Sequence, residues 1–314
     1  MKSSRTRRLL FRGGADDKRN QKQYMKKNET IDLHMHTTVS DGTDTPEEIL
    51  VRVRDAGIEL FSVTDHDAIK AAGIIPGILS DGDPAFLPGV ELSCRDGEGK
   101  YHILGYGYDP AASAINTVVA DGHRKRIDKV KYRLAALRKE YGFTFPDKEL
   151  EKLFSLYNPG KPHIGNLMVK LGYVKTRDEA IRDYLNKIRT PSVYLRPEEA
   201  IEAILASGGV PVLAHPTYGS GEELILGEEM DERLKRLTGF GLRGLEVFYS
   251  GFTEKIRAQL LGFAEQYDLY ITAGSDYHGG NKLIELGDTG LTEDTPFPAG
   301  LRRFLDEVVK ARQA

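Results

Sequence analysis

Short apolar runs alternate with amphipathic segments along most of the chain, which is the pattern of strands separated by helices. Strands are predicted over residues 31–34, 60–64, 86–92, 101–106, 210–214, 244–248 and 270–273, and most of these runs are bounded by turn-forming residues. Strands separated by helices pair mostly in parallel. The pattern therefore predicts a barrel-like α/β domain.

Helices are predicted between these strands. Residues 45–57 have Thr45 as N-cap, Pro46 at the first helical position, Glu48 to complete a capping box, and Gly57 as the end. Further helices are predicted over residues 196–207, 253–267 and 301–312.

The alternation is interrupted between residues 111 and 189, where helices follow one another without a strand. We predict an inserted helical subdomain there, and a discontinuous barrel domain over residues 29–110 and 190–314. The longest inserted helix, residues 115–139, is strongly basic, with Arg124, Lys125, Arg126, Lys129, Lys131 and Arg133. Shorter helices are predicted after residue 147, near Pro162 and near Thr176.

Composition and charge exclude several classes of protein. The net charge is −3, so we expect no stable binding to duplex DNA and no general attraction to anionic membranes. No apolar stretch approaches the roughly 18 residues that a membrane span needs, and the apolar run at residues 9–11 is too short for a signal peptide. These features predict a cytoplasmic protein.

Two further features carry less information. Residues 1–28 are polar and basic and are predicted to be disordered, either as an extension without a role or as a basic tail that binds a partner. The single cysteine, Cys94, cannot form an internal disulfide. We interpret it as a passive thiol, because a nucleophile would need its own base and oxyanion site.

The histidines follow the predicted strands. Six of the eight lie at the end of a predicted strand, near it, or within one: His34, His36, His66, His102, His215 and His278. Carboxylates accompany them, among them Asp41, Glu91 and Asp276. Because functional side chains in α/β barrels gather where strands end, these residues are expected to lie close together.

The local spacings indicate metal binding. His34 and His36 lie two apart on an extended segment and therefore point to one side, as half of a metal site would require. Asp65 and Asp67 flank His66, where they could orient the histidines. Each motif alone also fits an exposed side chain, a hydrogen-bonded histidine or a plain turn, but their combination predicts a metal centre.

The motifs in order resemble those of the polymerase-and-histidinol-phosphatase (PHP) family. They are His34-Met35-His36, Ser40-Asp41-Gly42, Thr64-Asp65-His66-Asp67, Gly89-Val90-Glu91, His102-Ile103-Leu104-Gly105-Tyr106, Ala214-His215-Pro216 and Ser275-Asp276-Tyr277-His278-Gly279. The resemblance implies a distorted (β/α)7 barrel with two or three divalent ions of manganese, zinc, iron or magnesium.

The resemblance also implies how the ligands are shared. His34, His36, Glu91 and Asp276 would hold one metal. Glu91 would bridge to a second metal, held also by His102 and His215. Asp41, His66 and His278 would hold a third.

Within the family, the insertion resembles that of bacterial nucleotide phosphoesterases, which typically carry Gly-Arg-Pro-His where this chain has Gly160-Lys161-Pro162-His163. Lysine keeps the positive charge but not the bidentate fork. The implied substrate is a 3′,5′-bisphosphonucleotide, a nucleoside monophosphate or a short RNA 5′ end. The hypothesis for its hydrolysis is attack by a metal-bridging hydroxide, with no residue nucleophile.

The candidate substrate-binding residues are Lys161, His163, Ser93, Arg124 and Arg126. Lys161 and His163 also fit an ordinary helix start, and the basic helix also fits a solvated face. Two other functions stay open. One is a different hydrolase on the same metals, such as a histidinol-phosphate phosphatase or an amidohydrolase, and the other is a non-catalytic PHP module.

Overall fold

The computed structural model of the protein describes residues 30–190, 194–219, 224–292, 295 and 298–313. The predicted disordered extension, residues 1–28, lies outside them. The strands are β1 Thr30–Asp32, β2 Ile58–Phe61, β3 Ala85–Phe86, β4 Gly89–Arg95, β5 Lys100–Tyr106, β6 Val210–Leu213, β7 Gly244–Tyr249 and β8 Tyr270–Gly274.

The strands form two sheets. One is parallel with the order β1-β2-β3, and the other has the order β4-β5-β6-β7-β8. The predicted mostly parallel pairing is wrong for β5, which runs antiparallel to both β4 and β6. The four residues that join β4 to β5 leave no room for a crossover helix, so the two strands form a hairpin.

A closed barrel is not confirmed, because the described strands do not form one continuous sheet. Backbone hydrogen bonds nevertheless join the two sheets at both margins. The Leu33 N–H donates to the Ala273 carbonyl at 2.9 Å, and the Asp67 N–H donates to the Glu91 carbonyl at 2.9 Å. The single strand predicted over residues 86–92 is divided into β3 and β4, with Pro88, which has no N–H to donate, between them.

The α-helices either pack on the sheets or form the insertion. They are α1 Pro46–Asp55, α2 Lys70–Ile78, α3 Ser113–Tyr141, α4 Asp147–Ser155, α5 Lys161–Lys170, α6 Arg177–Glu179, α7 Pro197–Ala206, α8 Gly227–Gly239, α9 Glu254–Gln266, α10 Ala299–Phe304 and α11 Lys310–Gln313. The capping box of α1 is confirmed, because Thr45 accepts from the Glu48 N–H and Glu48 accepts from the Thr45 N–H. The sequence patterns did not predict α2 or α8.

Two apolar cores hold the sheets to their helices. The larger lies between the five-stranded sheet and helices that include α7, α8, α9 and α10, with Ile204, Leu234 and Phe304 fully buried. The smaller lies between the three-stranded sheet and the helices α1 and α2, and it contains Ile49 and Ile75. Both cores hold the strand ends in fixed positions.

The helices of residues 111–189 have a separate core. Val130 and Leu137 of α3 pack there with Ile164 and Met168 of α5. The first turns of α3 instead join the larger core through Ile115 and Val119. Helix α3 therefore contributes to the larger core and to the core of the insertion. The proposed boundary of the insertion at residue 111 stays a prediction.

Two smaller observations complete the fold. No helix in the described part of the chain is both long and apolar enough to cross a membrane. Cys94 is buried in β4, and burial raises the pKa of its thiol well above the ordinary value. A protonated, inaccessible thiol is a poor nucleophile, which agrees with a passive role.

Candidate metal centre

The nine predicted ligands lie together, most of them in the segments that follow a strand. His34 and His36 follow β1, His66 follows β2, His215 follows β6, and Asp276 and His278 follow β8. His102 stands near the beginning of β5 instead. Because β5 runs antiparallel, its beginning lies beside the other strands' ends.

Glu91 of β4 lies at the middle of the cluster. Its Oε2 is 3.3 Å from His34 Nε2, 3.2 Å from His36 Nε2 and 3.0 Å from His66 Nδ1. Its Oε1 is 2.7 Å from His102 Nδ1 and 3.1 Å from His215 Nε2. Five imidazoles therefore surround one carboxylate.

Asp276 and Asp41 extend the cluster on the side of His36. Asp276 Oδ1 is 3.3 Å from His36 Nε2 and 3.5 Å from His34 Nε2. Asp41 Oδ1 is 3.5 Å from His278 Nε2, and Asp41 Oδ2 is 3.9 Å from His66 Nε2.

Several of these buried atoms have no hydrogen-bond partner, although their neighbours are close. They are His34 Nε2, His36 Nε2, Asp41 Oδ1, His66 Nδ1 and Glu91 Oε2. An unsatisfied buried polar atom costs roughly 1–3 kcal/mol. Nitrogen and oxygen atoms packed this closely without hydrogen-bond geometry fit ligands that share an ion, so the residues present suit divalent metals.

The ligand atoms fall into three groups that could each hold an ion: His34, His36 and Glu91; His66, Glu91 and His102; and His36, Asp41, His66 and His278. Glu91 belongs to two of the groups, as a bridging carboxylate would. The groups differ from the predicted sharing of ligands in two ways: His36 and His66 each belong to two of them, and none contains His215 or Asp276.

The electrostatics suit cations. Burial alone would raise the pKa of Glu91, but His66, His102 and His34 hold it well below the ordinary value. Asp41 is likewise held low by His66 and His278 against burial. Burial and the neighbouring His278 lower the pKa of His36 to about 4. Glu91 and Asp41 are therefore ionised and His36 is neutral at pH 7, which are the forms that bind metal. Against burial, the neighbouring carboxylates raise the pKa of His34 and His66, and these rings must be deprotonated to bind metal.

Glu246, on β7, was missed by the sequence analysis. Its Oε1 accepts from His34 Nδ1 at 2.8 Å, and its Oε2 accepts from the His215 N–H at 2.7 Å. One carboxylate thus orients the His34 ring and the backbone of His215. The detectable signal was a charged residue inside the apolar strand Gly244–Tyr249.

The fit around Glu246 requires glycine at position 274. A Cβ there would lie 2.6 Å from Glu246 Oε1 and 2.2 Å from the Cβ of His34.

Other residues missed by the sequence analysis hold Asp276. The Tyr249 hydroxyl donates to its Oδ2 at 2.9 Å, and the Lys282 ammonium pairs with the same oxygen.

Asp65 and Asp67 are buried beside the cluster, but their hydrogen bonds do not go directly to histidine rings. Asp65 accepts from the N–H and hydroxyl of Thr37 and from the Ser40 hydroxyl, at 2.7–2.8 Å. Ser40 lies 3.5 Å from His36 Nδ1, so any link from Asp65 to a histidine is indirect. Asp67 accepts from the Ser93 N–H at 2.9 Å.

The backbone is strained at the cluster. Of the four non-glycine residues with positive φ in the described chain, three are Asp67, His215 and Asp276, with φ of 48°, 26° and 59°. Such conformations cost about 1–3 kcal/mol each and persist where the surrounding structure enforces them.

The candidate substrate-binding residues separate in space. Arg126 is buried, with Nη2 3.5 Å from Asp41 Oδ2 and Nη1 3.5 Å from Asp67 Oδ2. Gly160 permits this approach, because a Cβ there would lie 2.6 Å from Arg126 Nη2. Ser93 lies opposite His102 in the hairpin. These residues therefore border the cluster.

The residues at the start of α5 face two different regions. His163 Nδ1 accepts from the Gly160 N–H at 3.0 Å, which leaves the proton on Nε2, and burial lowers its pKa. Lys161 donates to Asn186 at 2.6 Å and lies among other basic side chains. Arg124 is exposed and paired with Asp121, outside the cluster.

Lys129, between Arg126 and Arg133 on α3, leads to a prediction about stability. Burial lowers its pKa from 10.5 to about 7. Between these pH values the unfolded chain binds more protons, so the free energy of unfolding rises with pH, by up to about 1.4 kcal/mol per pH unit from this residue. We expect Lys129→Met to remove that slope in urea unfolding at pH 7, 8 and 9.

The exposed neighbour Lys131 provides the control, because Lys131→Met should keep the wild-type slope. Equal slopes for wild type and Lys129→Met would contradict the prediction.

Comparison with known proteins places these features in a family. The chain is 28% identical to a 3′,5′-nucleoside bisphosphate phosphatase of Chromobacterium violaceum, over 85% of this chain and 92% of that protein. It is 30% identical to the 5′-3′ exoribonuclease Rnm of Salmonella typhimurium, over 82% of this chain and 87% of the relative.

Structure comparison agrees. A solved metal-dependent phosphoesterase of Bifidobacterium adolescentis superimposes with a TM-score of 0.75 at 30% identity, covering 90% of this chain and 97% of that one. No protein-family model matches the chain. On the strength of its relatives, its mixed α/β fold and its histidine and carboxylate clusters, the chain belongs to the PHP family of metal-dependent phosphoesterases and is a hydrolase.

Proposed function

We propose that the chain hydrolyses phosphate monoesters of nucleotides at a centre of two or three divalent ions. The observation that carries this proposal is the cluster of buried, unpartnered nitrogen and oxygen atoms around Glu91. The ligands in this proposal are the nine predicted residues: His34, His36, Asp41, His66, Glu91, His102, His215, Asp276 and His278.

Divalent ions, when bound, supply Lewis-acid activation and a nucleophilic water at neutral pH. The chain's own residues position the ligands. Glu246 holds the Nδ1 side of His34, so that Nε2 faces the cluster. Tyr249 and Lys282 hold Oδ2 of Asp276, so that Oδ1 faces the two histidines. Ligands fixed in this way lose little freedom on binding a metal.

Arg126 and His163 are the proposed phosphate-binding residues at this centre. The Arg126 guanidinium is buried and is the permanently charged group nearest the two acidic residues Asp41 and Asp67. The contacts to these carboxylates are long, at 3.5 Å, so the guanidinium keeps donors for a phosphate oxygen. His163 is neutral at pH 7 and can donate from Nε2.

The preference for nucleotides is supported by the two relatives, which are named as a nucleoside bisphosphate phosphatase and an exoribonuclease. The first name describes a phosphatase of nucleosides with two phosphates, and the second an enzyme that acts on RNA. The sequence similarity over most of both chains supports the same substrate class here. Histidinol phosphate has no such support.

The test is phosphate release from adenosine 3′,5′-bisphosphate, AMP, a short 5′-phosphorylated RNA and histidinol phosphate, by protein loaded separately with Mn, Zn, Fe or Mg. We expect release from at least one nucleotide substrate. Asp276→Asn should reduce it by about 1,000-fold or more, because a ligand of the centre is lost.

Asp55→Asn, at an exposed aspartate at the end of α1, is the matched control and should remain active. Release from histidinol phosphate alone, or from none of the four compounds with any metal, would overturn the nucleotide proposal.

A further inference from the structure

A second, cationic cavity lies beside the metal centre. It has a volume of about 440 Å³, within the range of roughly 300–1,000 Å³ that is common for small-molecule sites. The β4–β5 hairpin, α3, the start of α5, residues 185–190 and Tyr194 line it. Its charged lining residues, among those that the structure describes, are all basic: Arg95, Lys100, Arg133, Lys161 and Arg189.

The cations of this region, of which Arg133 and Lys129 are buried, have few anionic partners. Arg133 is only 6% exposed, and its Nε has no hydrogen-bond partner. Lys161 donates to a neutral amide, that of Asn186. Lys129, adjacent on α3, lies over the Tyr194 ring at 3.8 Å. Positive charges that lie together, two of them buried, without counter-ions are costly, and an anionic ligand would offset that cost.

The pKa values of Lys161 and Arg133 are shifted in the direction that this lack of anionic partners predicts. Burial, together with the nearby Arg133, Lys100 and Lys129, lowers the pKa of Lys161 from 10.5 to about 7. Burial likewise lowers the pKa of the Arg133 guanidinium. A bound phosphate would reverse both effects by favouring the charged forms.

The β4–β5 hairpin contributes residues both to the metal centre and to the cavity. Ser93 pairs with His102, and Arg95 pairs with Lys100, in the antiparallel register. Side chains two residues apart share one face of a strand, so Lys100 follows His102 on the same face, about 7 Å further along. The hairpin therefore leads from the metal ligands to the basic residues.

Helix α3 connects the same two regions. Arg126 lies against Asp41 and Asp67, while Arg133, seven residues further on, lines the cavity. Seven residues make about two turns, so the two guanidinium groups share a face and stand about 10 Å apart along the helix axis. Two long arginine side chains at this spacing can converge on the two phosphates at either side of one nucleoside.

We propose that this cavity binds a second phosphate group of the substrate, one nucleoside away from the ester that is hydrolysed. The inference rests on the proposed function and deepens it, because it predicts a preference for substrates with two phosphates. The second phosphate is either the other phosphomonoester of a bisphosphonucleotide or the next phosphodiester of an RNA 5′ end. Arg133 and Lys100 are the residues that distinguish such substrates from monophosphates.

The experiment compares kcat/KM for adenosine 3′,5′-bisphosphate and for the dinucleotide 5′-pApA with kcat/KM for 3′-AMP and 5′-AMP. The metal-loaded wild-type protein should prefer at least one of the two-phosphate substrates. Arg133→Met should lower that preference by about 10- to 100-fold, because a charge-assisted hydrogen bond to phosphate is lost. The substrate whose kcat/KM falls toward that of the monophosphates in Arg133→Met is the one whose second phosphate occupies the cavity.

Two further variants keep the test decisive. Lys100→Met, at a partly exposed residue, should act in the same direction even if Arg133→Met folds poorly. Arg138→Met replaces an exposed arginine of the same helix and should leave the preference unchanged.

Failure of the inference is distinct from failure of the proposed function. Equal hydrolysis of monophosphates and two-phosphate substrates by the wild type, or an unchanged preference in Lys100→Met and a folded Arg133→Met, would overturn the second-phosphate site while the phosphoesterase stands. Absence of hydrolysis with every nucleotide would overturn the proposed function itself.

Discussion

Replacing Glu91 with glutamine is expected to remove metal and to reduce phosphate release by about 1,000-fold or more. The carboxylate contacts five histidines and belongs to two of the three groups that could hold an ion. Glutamine keeps the shape but not the negative charge, so it cannot bridge two cations. The loss of Lewis-acid chemistry is worth several kcal/mol, which corresponds to several powers of ten in rate.

Metal content by elemental analysis and phosphate release from a nucleotide panel would measure the two effects separately. Glu98→Gln, at the exposed turn of the same β4–β5 hairpin, is the control and should retain both. A Glu91→Gln protein with full metal content and full activity would show that Glu91 is not a shared ligand.

Replacing Glu246 with glutamine is expected to weaken metal affinity by about 10- to 100-fold, the usual effect of losing a carboxylate that orients a ligating histidine. Glu246 accepts from both His34 Nδ1 and the His215 N–H, and it is completely buried. An amide can accept at only one of its two ends, so one of these donors would lose its partner.

The readout that separates positioning from general structural damage is metal dependence. Excess metal should restore most of the activity of Glu246→Gln, because the ligands themselves remain. Glu232→Gln, at an exposed residue of α8, should titrate with metal like the wild type. Activity that stays low at saturating metal in a folded Glu246→Gln protein would contradict a positioning role.

Much of the metal centre was predictable because its chemistry depends on residue type and strand position. Imidazole and carboxylate side chains at successive strand ends indicated one site, and the structure brings all nine together around Glu91. The capping box of α1 was predictable for a similar reason. Its hydrogen bonds join residues three apart, so nothing distant decides them.

The substrate side was predictable only in part. Sequence placed Arg124 and Arg126 two residues apart on one basic helix, without separating their roles. In the structure Arg126 is buried against Asp41, while Arg124 is exposed. The difference arises because residues two apart on a helix face different directions, and only the packing of α3 decides which direction is the site.

The sequence by itself determined which residues can ligate metal, where most strands and helices lie, and that the chain carries an uncommon number of histidines at strand ends. Only the tertiary structure decided the antiparallel direction of β5, the position of Glu246 behind His34, and the cavity shared by Arg133 and Lys100. The physical reason is the distance along the chain over which each property is decided. Ligand type and capping are local properties, whereas strand direction, the partners of a buried carboxylate and the sharing of a cavity depend on contacts between segments far apart in the chain.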